Sequence, residues 1–476
     1  MSMLRRHSFI IMAVMVSFLA LNRGTLAAGP QPPKGKRVLR VSLPQSVVMA
    51  LKNNRPLQTA RRAISNAASN YRAAKAGYYP QVVGSFTSAQ NLNTVVVGTT
   101  LESIQTFDAG LNITATMPLD LSGAIGRSVQ QALISFITSK ASYVTASQSL
   151  VAQVYQQYYE VLRAQQAIKI DQAQVDQTAE QLRIAQERLK TGRVPEVDVL
   201  TAKVQFDNAR QNLKADEGQL EIAKSQLRNT LVVDQDVDLI PTDHLTFQPE
   251  NFMFEKAFRE ALQTRVEMKS ARLSLESARI ALRSAYDAYK PTLSVTAGYG
   301  YNVAGRNPPE AWRDRPSGAT GAIGGSINIP IFIFDGGVIR ENKYRAMVGI
   351  DQAEANWKEL EESISLQIKN NLTVLDNSRE RVEIVRSSIN LAQETLRIAE
   401  MRYSLGVASY LEVTDARNNL RTAELNYLNA LIQYNNAKVA VLQAIGRPLV
   451  SPATLESYSP LSSLEGEQKI LNSKPH

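Results

Sequence analysis

An internal duplication constrains this chain more than any other feature. Leu51 to Gly84 resembles Leu262 to Val295; each stretch runs through alanine-rich helix to an aromatic-proline boundary, Tyr78-Tyr79-Pro80 in one and Tyr289-Lys290-Pro291 in the other. Further on, Met117-Pro118-Leu119 answers Ile329-Pro330-Ile331, and Arg188-Leu189-Lys190-Thr191-Gly192 answers Arg402-Tyr403-Ser404-Leu405-Gly406. A period of about 212 residues marks one structural unit used twice. Each copy predicts helix, strand, strand, long helix, tight turn, helix. The 476 residues would otherwise suggest two or three ordinary domains. The duplication predicts instead a first repeat over 43–233, a connection over 234–251 and a second repeat over 252–446. A linker (29–42) precedes them and a tail (447–476) follows.

The helices carry a seven-residue apolar rhythm. Val154, Val161, Ile168, Val175, Leu182 and Leu189 form one row, and Ile368, Leu375, Val382, Ile389, Leu396 and Tyr403 form its counterpart. After each turn it resumes, as Val199, Phe206, Leu213, Leu220, Leu227 and as Val413, Leu420, Tyr427, Tyr434, Val441. A strict heptad supercoils helices left-handedly about their neighbours. One strong apolar position per heptad is a thin seam, suited to helices that wall a wet tube and also to a plain antiparallel coiled coil. Ser122 to Leu189 and Gly337 to Leu405 each predict a helix of about 65 residues, roughly 100 Å long.

Between the helices lie four segments of period two, about 81–90, 107–117, 292–301 and 322–330. Leu293, Val295, Ala297, Tyr299 and Tyr301 alternate with Thr292, Ser294, Thr296, Gly298 and Gly300. Leu111 and Ile113 alternate with Asn112 and Thr114, and Ile327 with Ser326 and Asn328. Apolar residues on one face and small polar ones on the other, over about ten residues, fit a membrane barrel strand. They also fit a half-buried soluble sheet, but no other sheet is in sight to cover them. Leu111, Ile113, Leu293, Val295 and Ile327 are the expected lipid face. Four strands cannot close a barrel, and an open edge in lipid leaves backbone groups unsatisfied. Protomers are therefore expected to share one. The hairpin loops, Asn91–Thr106 and Asn302–Gly321, are expected to face outward.

The N-terminus has the three-part plan of a secretory signal peptide over 1–28: Arg5-Arg6, an apolar run from Phe9 to Leu21, and small residues ending at Ala27-Ala28. No later stretch is apolar enough for a transmembrane helix. With no cysteine, disulfides, thiol catalysis and an N-terminal lipid-bearing cysteine are excluded. The only histidines are His7, His244 and His476, and no nucleophile-elbow, phosphate-loop or zinc-protease pattern occurs. Neither an enzyme, a metal site nor a cofactor is expected; so mild a net charge says little about partners, and no nucleic acid is expected among them.

The duplicated helix–hairpin–helix plan, the proline-bounded strands and the run Arg402-Tyr-Ser-Leu-Gly-Val-Ala-Ser-Tyr-Leu-Glu-Val-Thr-Asp415 resemble the TolC family of outer-membrane efflux proteins over roughly residues 40 to 450. Resemblance implies a mainly α fold with a transmembrane β-barrel. In it a long periplasmic α-helical barrel joins a twelve-stranded β-barrel shared by a homotrimer in the outer membrane. It implies an equatorial region containing 234–251 and the C-terminal stretch. It also implies an exit duct for a tripartite efflux pump or type I secretion, working with a periplasmic adaptor and an inner-membrane transporter. The tip turns at Gly192-Arg193 and Gly406-Val407 would meet the adaptor. Family carboxylate rings match Glu412 and Asp415, and further closing residues match Tyr403 and Asp198. The family arginine two residues after the turn glycine is Ala408 here, leaving Arg193 or Lys190 to substitute. Ser409-Tyr-Leu-Glu412 also reads as a capping box for the next helix, and Glu196 and Asp198 suit a helix start. The competing reading is a periplasmic coiled-coil adaptor.

Overall fold

The computed structural model describes residues 37–449, apart from 98–99, 306–307, 309–319 and 332–333. The signal segment, most of the tail and the charged stretch Arg313-Asp314-Arg315 lie outside these residues. The elements are β1 (Val38–Val41), α1 (Leu43–Asn53), α2 (Arg55–Ala76), β2 (Gln81–Val97), β3 (Thr100–Leu119), α3 (Ala124–Lys190) and α4 (Glu196–Leu231). They continue as β4 (Asp238–Pro241), α5 (Phe254–Thr264), α6 (Val266–Ala285), β5 (Thr292–Gly305), β6 (Thr320–Asn328), α7 (Val338–Ser404) and α8 (Tyr410–Ile445). The two halves repeat one another. α3 and α7 have 67 residues each, and α4 and α8 have 36 each.

Each long helix is launched the same way. Gly123 and Gly337 precede α3 and α7 at φ 75° and 85°, a region open to glycine. Asp120 then accepts from the amides of Ile125 and Gly126, and Asp335 from those of Gly337 and Ile339, satisfying first-turn donors.

The heptad seams are where the helices bury themselves, unevenly. Ile368, Leu375 and Val382 on α7 are fully buried. On α3 burial is complete at Val154 and Val161, but Ile168, Val175 and Leu182 are half-buried and Leu189 is exposed.

Strands β2-β3-β5-β6 form one antiparallel sheet in that order. Its register puts Leu111 beside Phe86 and Tyr301, Ile113 beside Tyr299, and Leu293 between Leu119 and Ile327. Opposite residues share a face, so one face is apolar and the other carries Asn112, Thr114, Ser294, Thr296 and Ser326. Leu111 is 53% exposed and Ile327 65%, which a soluble core sheet does not tolerate. Among the described residues β2 and β6 each pair on one side only.

Three expectations need correction. β2 and β3 run on through 91–97 and 100–106, where a loop was expected; the β-branched run Thr94-Val95-Val96-Val97 favours extended backbone. Likewise β5 extends to Gly305, beyond Tyr301. Residues 38–41 are not linker: they form β1, which pairs in parallel with β4. This small sheet is tied to the helices by tyrosine. The Tyr158 hydroxyl donates to the Val41 carbonyl (3.0 Å) and bonds Asp243 (2.8 Å); the Tyr434 hydroxyl donates to the Gln248 carbonyl (2.8 Å). Tyr155 donates to the carbonyl of Leu449 (2.8 Å), which docks the start of the tail. Burial and the neighbouring Asp243 push the Tyr158 phenol up, so it remains a donor.

Candidate functional site: the two hairpin tips

The chain reverses twice by one mechanism. Gly192 (φ 68°) and Gly406 (φ 77°) adopt the left-handed conformation that lets a helix end abruptly. The amide of Arg193 donates to the Arg188 carbonyl (2.9 Å) and that of Val407 to the Arg402 carbonyl (3.0 Å), while the glycine amides donate to Leu189 and Tyr403. Both are Schellman closures. They leave Arg193 and Val407 exposed at the extremity, Val407 at 67%.

Around the second turn the side chains are interlocked. Glu412 pairs with Arg402 at 2.6 Å. Its amide donates to Ser409 Oγ at 3.3 Å, so half of the capping box forms while the carboxylate turns to Arg402 instead of back to Ser409. The Tyr403 and Tyr410 rings lie 6.1 Å apart, above a small core of Leu396, Ala399, Val413 and Ala416. Burial raises the pKa of the Tyr410 phenol. Asp415, one turn beyond Glu412 on the same face, is exposed and makes no hydrogen bond or ion pair among the described residues. Asp198 is half-buried at the start of α4; no hydrogen bond or ion pair joins it to Glu412, Asp415 or Tyr403.

Neither residue expected to substitute for the missing arginine pairs with a tip carboxylate of α8 within the chain. Lys190 pairs with Glu187 (2.9 Å), within its own helix. Arg193 has no side-chain partner among the described residues. The contacts that join the hairpins come from residues that sequence reasoning missed. Arg188 crosses from the first hairpin to the second, donating to the Tyr403 hydroxyl at 3.0 Å with its guanidinium 5.3 Å from that ring. Arg417 pairs with Glu400 at 2.6 Å. Deeper in the bundle, Arg421 of α8 grips Asp171 of α3 through two bonds, 2.6 and 2.8 Å, and Asp171 is only 1% exposed. Asp216 of α4 adjoins the pair; burial and the Asp171 charge raise its pKa.

The tip is thus a pair of closed turns carrying carboxylates and cations, with no nucleophile–base arrangement. No group of carboxylates and histidines fit to hold a metal occurs among the described residues. No described helix is long and apolar enough to cross a membrane.

Comparison with known proteins agrees with this architecture. The family described as outer membrane efflux protein matches residues 47–231 and 257–447, one match per repeat. The probable efflux pump outer membrane protein TtgC of Pseudomonas putida is 23% identical over 414 residues, covering 85% of this chain and 83% of its own. Outer membrane protein TolC of Escherichia coli is 25% identical over 317 residues, 64% of this chain and 63% of its own. The CmeC outer membrane channel of Campylobacter jejuni has a similar structure, with a TM-score of 0.71 at 20% identity over 88% of this chain and 89% of that one. The chain belongs to the outer membrane efflux protein family, and its fold is that of the family's outer-membrane channels.

Proposed function

We propose that three copies of this chain pool their sheets into one closed barrel and their helices into one tunnel, making the exit duct of a tripartite efflux pump. The observation that carries this reading is the sheet: four strands, unpaired at the outer edges of β2 and β6, with large apolar side chains exposed along one face. In hydrocarbon each unsatisfied backbone group costs several kcal/mol, and outer-membrane barrels have about eight strands or more. A homotrimer meets both requirements. Leu111, Ile113, Leu293, Val295 and Ile327 then face lipid, and Asn112, Ser294 and Thr296 face the lumen.

Helices of 67 residues are roughly 100 Å long, enough to project well clear of the membrane. The exposed turns Gly192-Arg193 and Gly406-Val407 end the tunnel and meet a periplasmic adaptor that couples the duct to an inner-membrane transporter. Three copies of Glu412 and Asp415 line its narrow end, with Tyr403 and Asp198 nearby. Relatives in Pseudomonas putida belong to an antibiotic efflux pump and a toluene efflux pump, which favours small-molecule cargo over polypeptides. In this reading the protein conducts cargo and has no catalytic role. A coiled-coil adaptor would have no use for the exposed apolar sheet face.

The test is a pair of charge insertions. An arginine on the lipid face near the bilayer midplane costs about 2–4 kcal/mol, and one in the lumen costs far less. Ile113→Arg, mid-sheet beside Tyr299 on the lipid face, should abolish most heat-resistant trimer in outer-membrane fractions, whereas Thr114→Arg, at the same depth on the lumen face, should leave it near the parent level. Equal losses contradict the assigned faces.

A further inference from the structure

At the helix end of the sheet, the apolar face gives way to a band of exposed aromatic residues, including Tyr79, Tyr286, Tyr289, Phe334 and Tyr344. Cations in this band fall into two groups. Arg127 and Lys290 are used internally: Arg127 ion-pairs with Asp287 and donates to the Ser122 carbonyl, and Lys290 binds the same two groups. The other group occupies the first two turns of α7. Arg345 is exposed, but two residues beyond Lys343 it points from the other side of the helix. Arg340 touches only the adjacent Glu341, with its side chain 83% exposed. Lys343 lies over two rings, 4.2 Å from the centroid of Tyr286 and 4.5 Å from that of Tyr289. The matching positions of α3, Gly126, Val129 and Gln131, are uncharged.

A helix rises about 1.5 Å per residue, so these cations sit within roughly 10 Å of the start of α7. That is headgroup depth for a sheet whose apolar face lies in hydrocarbon. Tyrosine rings favour this level, and long basic side chains reach from it to phosphate. Two tyrosine faces hold the Lys343 ammonium in place instead of letting it swing. Clustered cations beside a membrane attract anionic lipid.

We propose that Arg340 and Lys343, three residues apart on one face of α7, with the rings of Tyr286 and Tyr289, form a docking surface for the phosphate headgroups of anionic glycerophospholipids in the leaflet next to the helical part. This rests on the sheet spanning the bilayer, as set out above. The experiment uses the full-length trimer in phosphatidylcholine nanodiscs with and without phosphatidylglycerol. Phosphatidylglycerol should raise the thermal dissociation temperature of the parent at low salt. The Arg340→Gln/Lys343→Gln variant should match the parent in phosphatidylcholine and lose that rise. Lys369→Gln/Arg386→Gln, which removes two exposed cations farther down α7, should keep it. The proposal is overturned if the parent shows no lipid preference, if the Arg340/Lys343 variant keeps the rise, or if the control loses it. Failure of the underlying reading looks different: Ile113→Arg would then assemble as well as the parent.

Discussion

The two hairpin tips share one backbone and differ in what holds them. In the second, Leu396, Ala399, Val413 and Ala416 are buried together. The equivalent Leu182, Ala185 and Val199 in the first are half-buried, and only Ala202 is fully enclosed. Arg402 pairs with Glu412 inside the second tip, whereas the equivalent Arg188 and Asp198 do not pair. Asp198 is one carbon shorter, and Arg188 is engaged with Tyr403 of the other hairpin. The second hairpin therefore closes on itself, and the first leans on it. Along α8, roughly 16 Å from its start at 1.5 Å per residue, the Asp171–Arg421 bonds fasten the two together again. Contacts between the hairpins are therefore fewer than those within the second one at this end.

That asymmetry can be broken by substitution. The largest effect belongs to the deep fastening. Arg421→Ala strands a buried carboxylate and should cost about 3 kcal/mol or more. An Asp171→Leu/Arg421→Met pair should recover most of it, since apolar replacements of buried ion pairs are often neutral. Urea unfolding of each variant checks this; no recovery in the double variant means the pair is not the reason for the loss.

Next comes the small tip core. Leu396→Ala should cost about 2–3 kcal/mol, in the usual range for a buried leucine, and Leu182→Ala clearly less because its site is half-open. Equal losses would show that the first tip is as well packed as the second.

The smallest effect concerns acid. Asp216 has its pKa raised, by burial first and by Asp171 second, so the fold favours its neutral form. Its contribution is complete below the ordinary value of 3.8 and is lost as pH rises through the raised one. Asp216→Asn, permanently neutral, should therefore dissociate at a higher temperature than the parent at neutral pH. The gap should vanish below pH 3.8. A gap that widens in acid reverses the sign and refutes the assignment.

Much of this fold was legible because it is written in local periods. The heptad of Ile368, Leu375 and Val382 located a buried seam, and the alternation from Leu293 to Tyr301 located β5 and its apolar face. Two tight turns could be placed from their glycines alone. What escaped detection lacks a local period. β1 has four residues and makes sense only against β4, some 200 positions away. Arg421 and Asp171 are 250 residues apart, so no spacing rule joins them. At the tip, resemblance to the family points to Glu412 and Tyr403, whereas their partners Arg402 and Arg188 are visible only in the folded chain. The capping pattern at Ser409 was half right, since a nearby guanidinium competes for the carboxylate.

Ion conduction tests most directly whether the second hairpin carries the charged narrow end of the duct, as proposed above. Glu412 and Asp415 lie three residues apart on one helix face, and three copies of each would concentrate negative charge in a narrow channel and attract polyvalent cations. In planar bilayers, Glu412→Ala/Asp415→Ala should lose cation selectivity and block by trivalent cations. Ser409→Ala should weaken the helix cap by about 1 kcal/mol and leave both properties intact. Unchanged selectivity and block in the double variant would contradict the claim and place the narrow end elsewhere in the tunnel.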